Sequence, residues 1–183
     1  FYYDANPEFN LHTNHSFVLG SLFLTTGDTS YISSTIIMDD SQPENIIFCS
    51  TGDCHESAIV IVNRNGNYDS NFFKEINGFT ISGGNKHGIF VEDINNIRIL
   101  NSVIAYNGSE EDMVGGTGGT GGGISINRNQ SNNVSGGLLS NLRVHNNFAN
   151  NGGGIYLYAQ DDIIVDNVIV YNNYAYIGGG GIN

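Results

Sequence analysis

Val144-His-Asn-Asn-Phe-Ala-Asn-Asn-Gly-Gly-Gly-Ile155 and Val170-Tyr-Asn-Asn-Tyr-Ala-Tyr-Ile-Gly-Gly-Gly-Gly-Ile182 are near copies of one another. Each runs from Val through an Asn pair and an aromatic-Ala step to a glycine run that ends in Ile. Working outward, the Gly-Ile element recurs as Gly88-Ile-Phe-Val-Glu92, Gly123-Ile-Ser-Ile-Asn127 and Gly154-Ile-Tyr-Leu-Tyr158. Ala58-Ile-Val-Ile-Val62 fits one period earlier, and Gly181-Ile-Asn183 begins a further copy. The period is about 30 residues, within the range of stacked repeat architectures. A second unit sits inside each period: Asn77-Gly-Phe-Thr-Ile81, Asn101-Ser-Val-Ile-Ala105, Asn141-Leu-Arg-Val-His145 and Asn167-Val-Ile-Val-Tyr171. Asn107, Asn146 and Asn172 follow three of these copies, and Gly83 takes that place in the first.

The units are short and alternate in polarity, which is strand period, and Asn and Gly bound them as turns. Like segments recurring at a fixed period are the mark of a solenoid, in which each coil buries its apolar face on the previous one. The inward stacks expected are Ile59, Ile89, Ile124 and Ile155; Ile61, Val91, Ile126 and Leu157; and Phe79, Val103, Leu142 and Val168. The glycine before each Ile is expected to take a positive φ cheaply. The asparagines are expected to stack at another corner, each amide bonding the next.

These glycine-rich strand starts, Ile stacks and turn asparagines resemble the right-handed parallel β-helix repeat of the pectate-lyase-like superfamily. The strings Asn147-Phe-Ala-Asn-Asn-Gly-Gly-Gly-Ile155 and Asn173-Tyr-Ala-Tyr-Ile-Gly-Gly-Gly-Gly-Ile182 resemble repeats of polymorphic outer-membrane proteins and adhesin-like β-helices. The resemblance covers residues 58–183. It weakens over 30–57, where Ser34-Thr-Ile-Ile-Met38 and Asn45-Ile-Ile-Phe48 look like earlier strands. The expected fold is all-β, a right-handed parallel β-helix of about five to six coils. Residues 1–29 are expected to form an N-terminal cap or partial coil, and 30–183 the β-helix, open at its C-terminal end.

Composition narrows the function. The chain has 183 residues, with 6 Lys+Arg against 18 Asp+Glu and a net charge of −12. Such a surface does not grip a phosphate backbone or an acidic lipid face, so nucleic acid and acidic membranes are excluded as partners. Without a run of 18 apolar residues, no membrane span is expected. Gly at 25, Asn at 27 and few lysines point to a turn-rich surface or secreted protein.

Cys49 and Cys54 lie five positions apart, with His55 directly after. A short-loop disulfide formed in an oxidising compartment is the first reading. Covalent haem at Cys49, Cys54 and His55 requires a widened spacing and a second axial ligand that the sequence does not identify. Two free thiols are the third reading. The four sequons, at Asn14, Asn107, Asn129 and Asn133, are no more than this composition gives by chance. No cofactor is expected, with one possible exception. Glu110, Glu111 and Asp112, in a glycine-rich insertion read first as a loop, offer oxygen ligands to Ca²⁺.

The outward positions of the Gly-Ile strands form a ribbon. One column is Val60, Phe90, Ser125 and Tyr156; the next is Val62, Glu92, Asn127 and Tyr158. Phe90, Asn127, Tyr156 and Tyr158 are the candidate carbohydrate-binding residues, because aromatic faces suit sugar faces and polar groups meet hydroxyls. The family resemblance implies lyase or hydrolase chemistry on polysaccharide, for which Glu92, Asp93, Arg128, Asp161 and Asp162 are the candidates. The coil between them carries Asn127-Arg-Asn129 with no acid, so an enzyme is the secondary reading. The five histidines show no metal-ligand spacing, and His145 is read as structural. The favoured function is an extracellular structural or adhesive protein, assembling head to tail with itself or binding polysaccharide. A polysaccharide lyase or hydrolase and a non-catalytic sugar-binding module are the alternatives.

Overall fold

The computed structural model describes residues 16–38, 57–62, 73–109, 119–128, 135–158 and 161–183. Cys49, Cys54, His55, Glu110, Glu111 and Asp112 lie outside these residues, as do the sequons at Asn14, Asn129 and Asn133 and the strand expected at Asn45–Phe48. The described chain is mostly β. Its strands are β1 (Phe17–Gly20), β2 (Ile36–Met38), β3 (Ser57–Val62), β4 (Lys74–Asn77), β5 (Thr80–Ser82), β6 (His87–Glu92), β7 (Ile97–Ala105), β8 (Ile124–Asn127), β9 (Ser135–His145), β10 (Phe148–Asn151), β11 (Ile155–Tyr158), β12 (Asp161–Tyr171) and β13 (Tyr174–Gly178). Two short helices, α1 (Phe23–Thr26) and α2 (Ser30–Ser34), lie between β1 and β2.

Every strand pairing among the described residues is parallel. The largest sheet runs β1-β4-β7-β5-β2, continued by β9 on β7 and β12 on β9. The second runs β11-β8-β6-β3, and β10 pairs with β13 in the third. Parallel neighbours need a long return path, which each 30-residue period supplies. β1 belongs to the first of these sheets, pairing Phe17 with Lys74, so the stacking reaches into the segment that the repeat left unplaced.

The two Ile-rich stacks form as expected. Ile59 pairs with Ile89, Ile89 with Ile124 and Ile124 with Ile155. Ile61, Val91, Ile126 and Leu157 follow two positions on, in the same registers. Ile89, Ile124 and Ile155 are fully buried, as are Ile76, Ile99 and Leu139 of the largest sheet. Burying each such side chain contributes about 1.5–3 kcal/mol.

The third stack is corrected by one residue. Leu142 pairs with Ser102 and with Val168, whereas Val103 pairs with Arg143. The cause is a corner at Asn101, whose φ is +48. A residue in this left-handed conformation bends the strand and shifts the in-out alternation by one position. Ile97, Ile99, Ser102, Ile104 and Asn107 are therefore all buried, at steps of two, three, two and three. Asn96, Asn101 and Tyr106 carry positive φ on this layer; Gly136, Asn141 and Asn146 on the next; Asp162, Asn167 and Asn172 on the one after. Gly78 and Gly83 hold two of these corners in the layer before. Asn tolerates this conformation better than most residues, because its short polar side chain bonds locally. Buried Ser102 is satisfied: its hydroxyl donates to the Leu100 carbonyl at 2.6 Å and accepts the Phe79 N–H at 3.2 Å.

The buried asparagine ladder is also shifted by one. Its members are Asn107, Asn147 and Asn173, not Asn146 and Asn172, which hold the corners. Asn107 Nδ2 donates to Asn147 Oδ1 at 2.9 Å, and Asn147 Nδ2 to Asn173 Oδ1 at 2.9 Å. A second, more exposed ladder runs Asn167 to Asn141 to Asn101 to Asn77, at 2.7, 3.0 and 2.9 Å.

The glycines before Ile serve a different purpose from the one expected. Positive φ falls on Gly121, Gly152 and Gly179, each three residues before its Ile. Gly123 instead lies where backbones close in: a Cβ there would stand 2.6 Å from the Gly154 carbonyl oxygen.

Candidate functional site

The outer face of β6, β8 and β11 gathers the ribbon residues. Alternation along each strand sends Ile inward and the intervening residue outward. Phe90 pairs with Ser125 and Ser125 with Tyr156; Glu92 pairs with Asn127 and Asn127 with Tyr158. The structure thus brings Phe90, Asn127, Tyr156 and Tyr158 onto adjacent strands. Val60 and Val62 of β3 extend the two columns by register, pairing with Phe90 and Glu92.

The rings of Tyr156 and Tyr158 are parallel within 8°, with centroids 6.2 Å apart. This distance and angle are those of an offset-stacked pair. Tyr158 is 56% exposed. Ser125 between the aromatics is fully buried, and its hydroxyl lies 3.3 Å from Thr120 Oγ1. Asn127 Nδ2 donates to the same hydroxyl at 3.2 Å, while Asn127 Oδ1 is shielded from solvent and has no donor.

His87 and Thr120 belong to this face, and the sequence reading missed them. The His87 ring stacks on Phe90 at 5.1 Å, and its Nδ1 lies 3.1 Å from the Gly121 carbonyl, a contact that requires the proton on Nδ1. The signal was available for His87, which directly precedes the Gly-Ile unit. Thr120 is held by the backbone of the glycine run, and no side-chain pattern marks it.

The candidate catalytic residues sit at strand ends and corners. Asp93 is buried at a corner with φ +57, its N–H donating to the Asn127 carbonyl at 3.1 Å. Asp162 is an exposed corner residue with φ +59. Arg128 approaches Asp161 at 3.8 Å, and that aspartate is 71% exposed. Glu92 flanks Asn127 on β6. Among the described residues, no three His, Cys, Asp or Glu side chains gather as a metal-binding group. No described helix is long and apolar enough to cross a membrane.

His145 has partners that its sequence position did not reveal. It stacks on Tyr171 at 4.7 Å and meets the Tyr106 ring edge-on at 5.7 Å. Burial, and then the nearby Arg143 guanidinium, lower the His145 pKa below its usual value.

Compared with protein-family models, curated proteins and solved structures, the chain matches none of them.

Proposed function

We propose that the chain is an extracellular, adhesive, right-handed parallel β-helix that binds polysaccharide through the outer face of β6, β8 and β11. The observation that carries this reading is the parallel pair Tyr156 and Tyr158, set in register with Phe90, Ser125, Glu92 and Asn127. Flat aromatic faces pack against the apolar faces of sugar rings, and the flanking polar groups meet hydroxyls. The continuous Ile columns and the Asn107–Asn147–Asn173 ladder support the β-helix, because each layer satisfies its apolar and polar groups on the next. The turn-rich, lysine-poor composition supports a location outside the cell. A polysaccharide array probed with the wild-type chain and with Tyr156→Ala/Tyr158→Ala tests the binding. Retention by the wild type alone supports it, and equal retention contradicts it. New reducing ends or unsaturated products from a bound polysaccharide would move the reading to a hydrolase or lyase.

Self-association is a second reading, favoured by one observation. Leu139 is fully buried, whereas Val165, its partner on β12, is 44% exposed. Among the described residues β12 pairs with β9 alone, so its other edge accepts a strand, either from continuation of the same chain or from a second copy. Sedimentation velocity across a concentration series separates the two: a second copy gives end-to-end oligomers, and a single species at every concentration removes the self-association reading.

A further inference from the structure

We infer that the outer face of β9 at Arg143 and His145, flanked by Tyr106 and Tyr171, is a second binding site, which takes a ring carrying a single carboxylate. It lies on a different sheet from β6, β8 and β11 and stands independently of the polysaccharide reading. The first ground is charge. Arg143 and His145 are alternate residues of β9, so both point outward while Leu142 and Val144 point into the core, and their Cα atoms are about 6.5–7 Å apart. Arg98 faces Glu75 and Arg128 faces Asp161, whereas Arg143 has no acidic partner among the described residues. The register neighbours of Arg143 are Val103 and Ile169, and those of His145 are Ala105 and Tyr171. The acids of β12, Asp161, Asp162 and Asp166, all precede the corner at Asn167. The groups that face His145 are the Arg143 guanidinium on its own strand, the Tyr106 phenol at the end of β7 and the Tyr171 phenol of β12. None of them is an anion at neutral pH.

The second ground is the donor set and the rings around it. Asn146 Nδ2 lies 3.1 Å from His145 Nδ1; with the amide donating, the imidazole proton sits on Nε2. The face then presents a guanidinium fork and a ring N–H, donors that suit a carboxylate. His145 stacks on Tyr171 at 4.7 Å and meets Tyr106 edge-on at 5.7 Å, and both tyrosines are exposed. Aromatic surface beside a cation suits a ligand that carries both a ring and a charge. The net charge of −12 limits that ligand. A polyanion extends well beyond the contact and meets the acidic surface, whereas one carboxylate touching Arg143 acts inside the screening distance of about 8 Å. Sugar acids and aromatic acids share this chemistry.

Nuclear magnetic resonance titration of the full chain with glucuronate, 4-hydroxybenzoate, acetate and glucose reads the site through the His145 imidazole, assigned with His145→Phe. Glucuronate, 4-hydroxybenzoate or both should shift the His145 signals saturably and raise its titration midpoint, because a bound anion favours the imidazolium. Acetate, a carboxylate without a ring, and glucose, a ring without a carboxylate, should each bind at least about tenfold more weakly. A response to glucuronate alone assigns a sugar acid, and a response to 4-hydroxybenzoate alone an aromatic one. Arg143→Gln should weaken binding by about tenfold or more, and Arg143→Lys should retain part of it. Tyr171→Leu should weaken it by about threefold or more. Acetate or glucose binding as tightly as the ring-bearing acids would overturn the inference. So would an affinity unchanged in Arg143→Gln, or no saturable shift with any of the four probes. None of these outcomes bears on the Tyr156–Tyr158 face.

Discussion

The side-chain amide of Asn107 donates to Asn147 Oδ1 at 2.9 Å, joining residues 40 positions apart on neighbouring layers. The same oxygen accepts the Asn107 backbone N–H at 3.0 Å, and Asn147 Nδ2 reaches the Ile104 carbonyl at 3.0 Å. Both side chains are fully buried. The ladder therefore satisfies backbone groups at and beside the corners, and it ties register to polar chemistry as well as to apolar burial.

Removing the middle of that ladder should cost more than removing an exposed amide. Asn147→Ala leaves several buried groups unsatisfied, at about 1–3 kcal/mol each. Asn141→Gly, which keeps the corner's positive φ, should cost about 1 kcal/mol or less. Urea denaturation monitored by circular dichroism compares them, and equal losses would contradict the assignment of the ladder.

The inward and outward faces are tested at Ile124 and Tyr156. Ile124→Asp puts an unpaired carboxylate into the column between Ile89 and Ile155, at a cost of several kcal/mol. Tyr156→Asp, on the outer face, should leave the thermal midpoint within a few degrees of the wild type. A more damaging Tyr156 change would mean that the register is shifted by one residue.

Tyr106 occupies a corner with φ +60, where the equivalent positions of other layers hold Gly83, Asn146 and Asn172. Asn suits this backbone and a β-branched residue does not. Tyr106→Asn should be neutral or slightly stabilising despite losing the ring contact with His145, and Tyr106→Val should cost about 1–2 kcal/mol. Differential scanning calorimetry of the two variants checks the order.

The parallel pairing and the two Ile-rich columns were legible because Gly-Ile strands alternate without interruption. The corners were not. A left-handed residue inside β7, β9 or β12 adds one position to the alternation, so plain period-two reading put Val103 in the core where Ser102 belongs. The same shift hid Asn147 and Asn173 behind Asn146 and Asn172. The shared register of Phe90, Asn127, Tyr156 and Tyr158 was legible because they lie on uninterrupted strands. His87, Thr120 and the Tyr106–His145–Tyr171 contact were harder to read, since they depend on which layers meet.

Acid should loosen the Tyr106–His145–Tyr171 contact. His145 has a folded-state pKa below its usual 6.5, so the unfolded chain takes up the proton more readily than the folded one. Its contribution to stability is present above about pH 6.5 and is lost as pH falls from there toward the folded value. Asp28 is held below its ordinary 3.8 by the Ser30 N–H, so its effect belongs to more acidic pH. Thermal midpoints from about pH 8 to pH 5 should fall less in His145→Phe, which keeps the ring, than in the wild type. Identical slopes would remove His145 as the titrating group.

The most direct measurement of the central claim is co-sedimentation with insoluble polysaccharides by the wild-type chain and by Tyr156→Ala/Tyr158→Ala, at matched thermal stability. The account predicts that the wild type pellets with at least one polysaccharide, and that the double variant, folded to the same degree, stays in the supernatant. Equal pelleting of the two proteins, or no pelleting of the wild type with any polysaccharide, would contradict the assignment of the β6–β8–β11 face as a carbohydrate-binding surface.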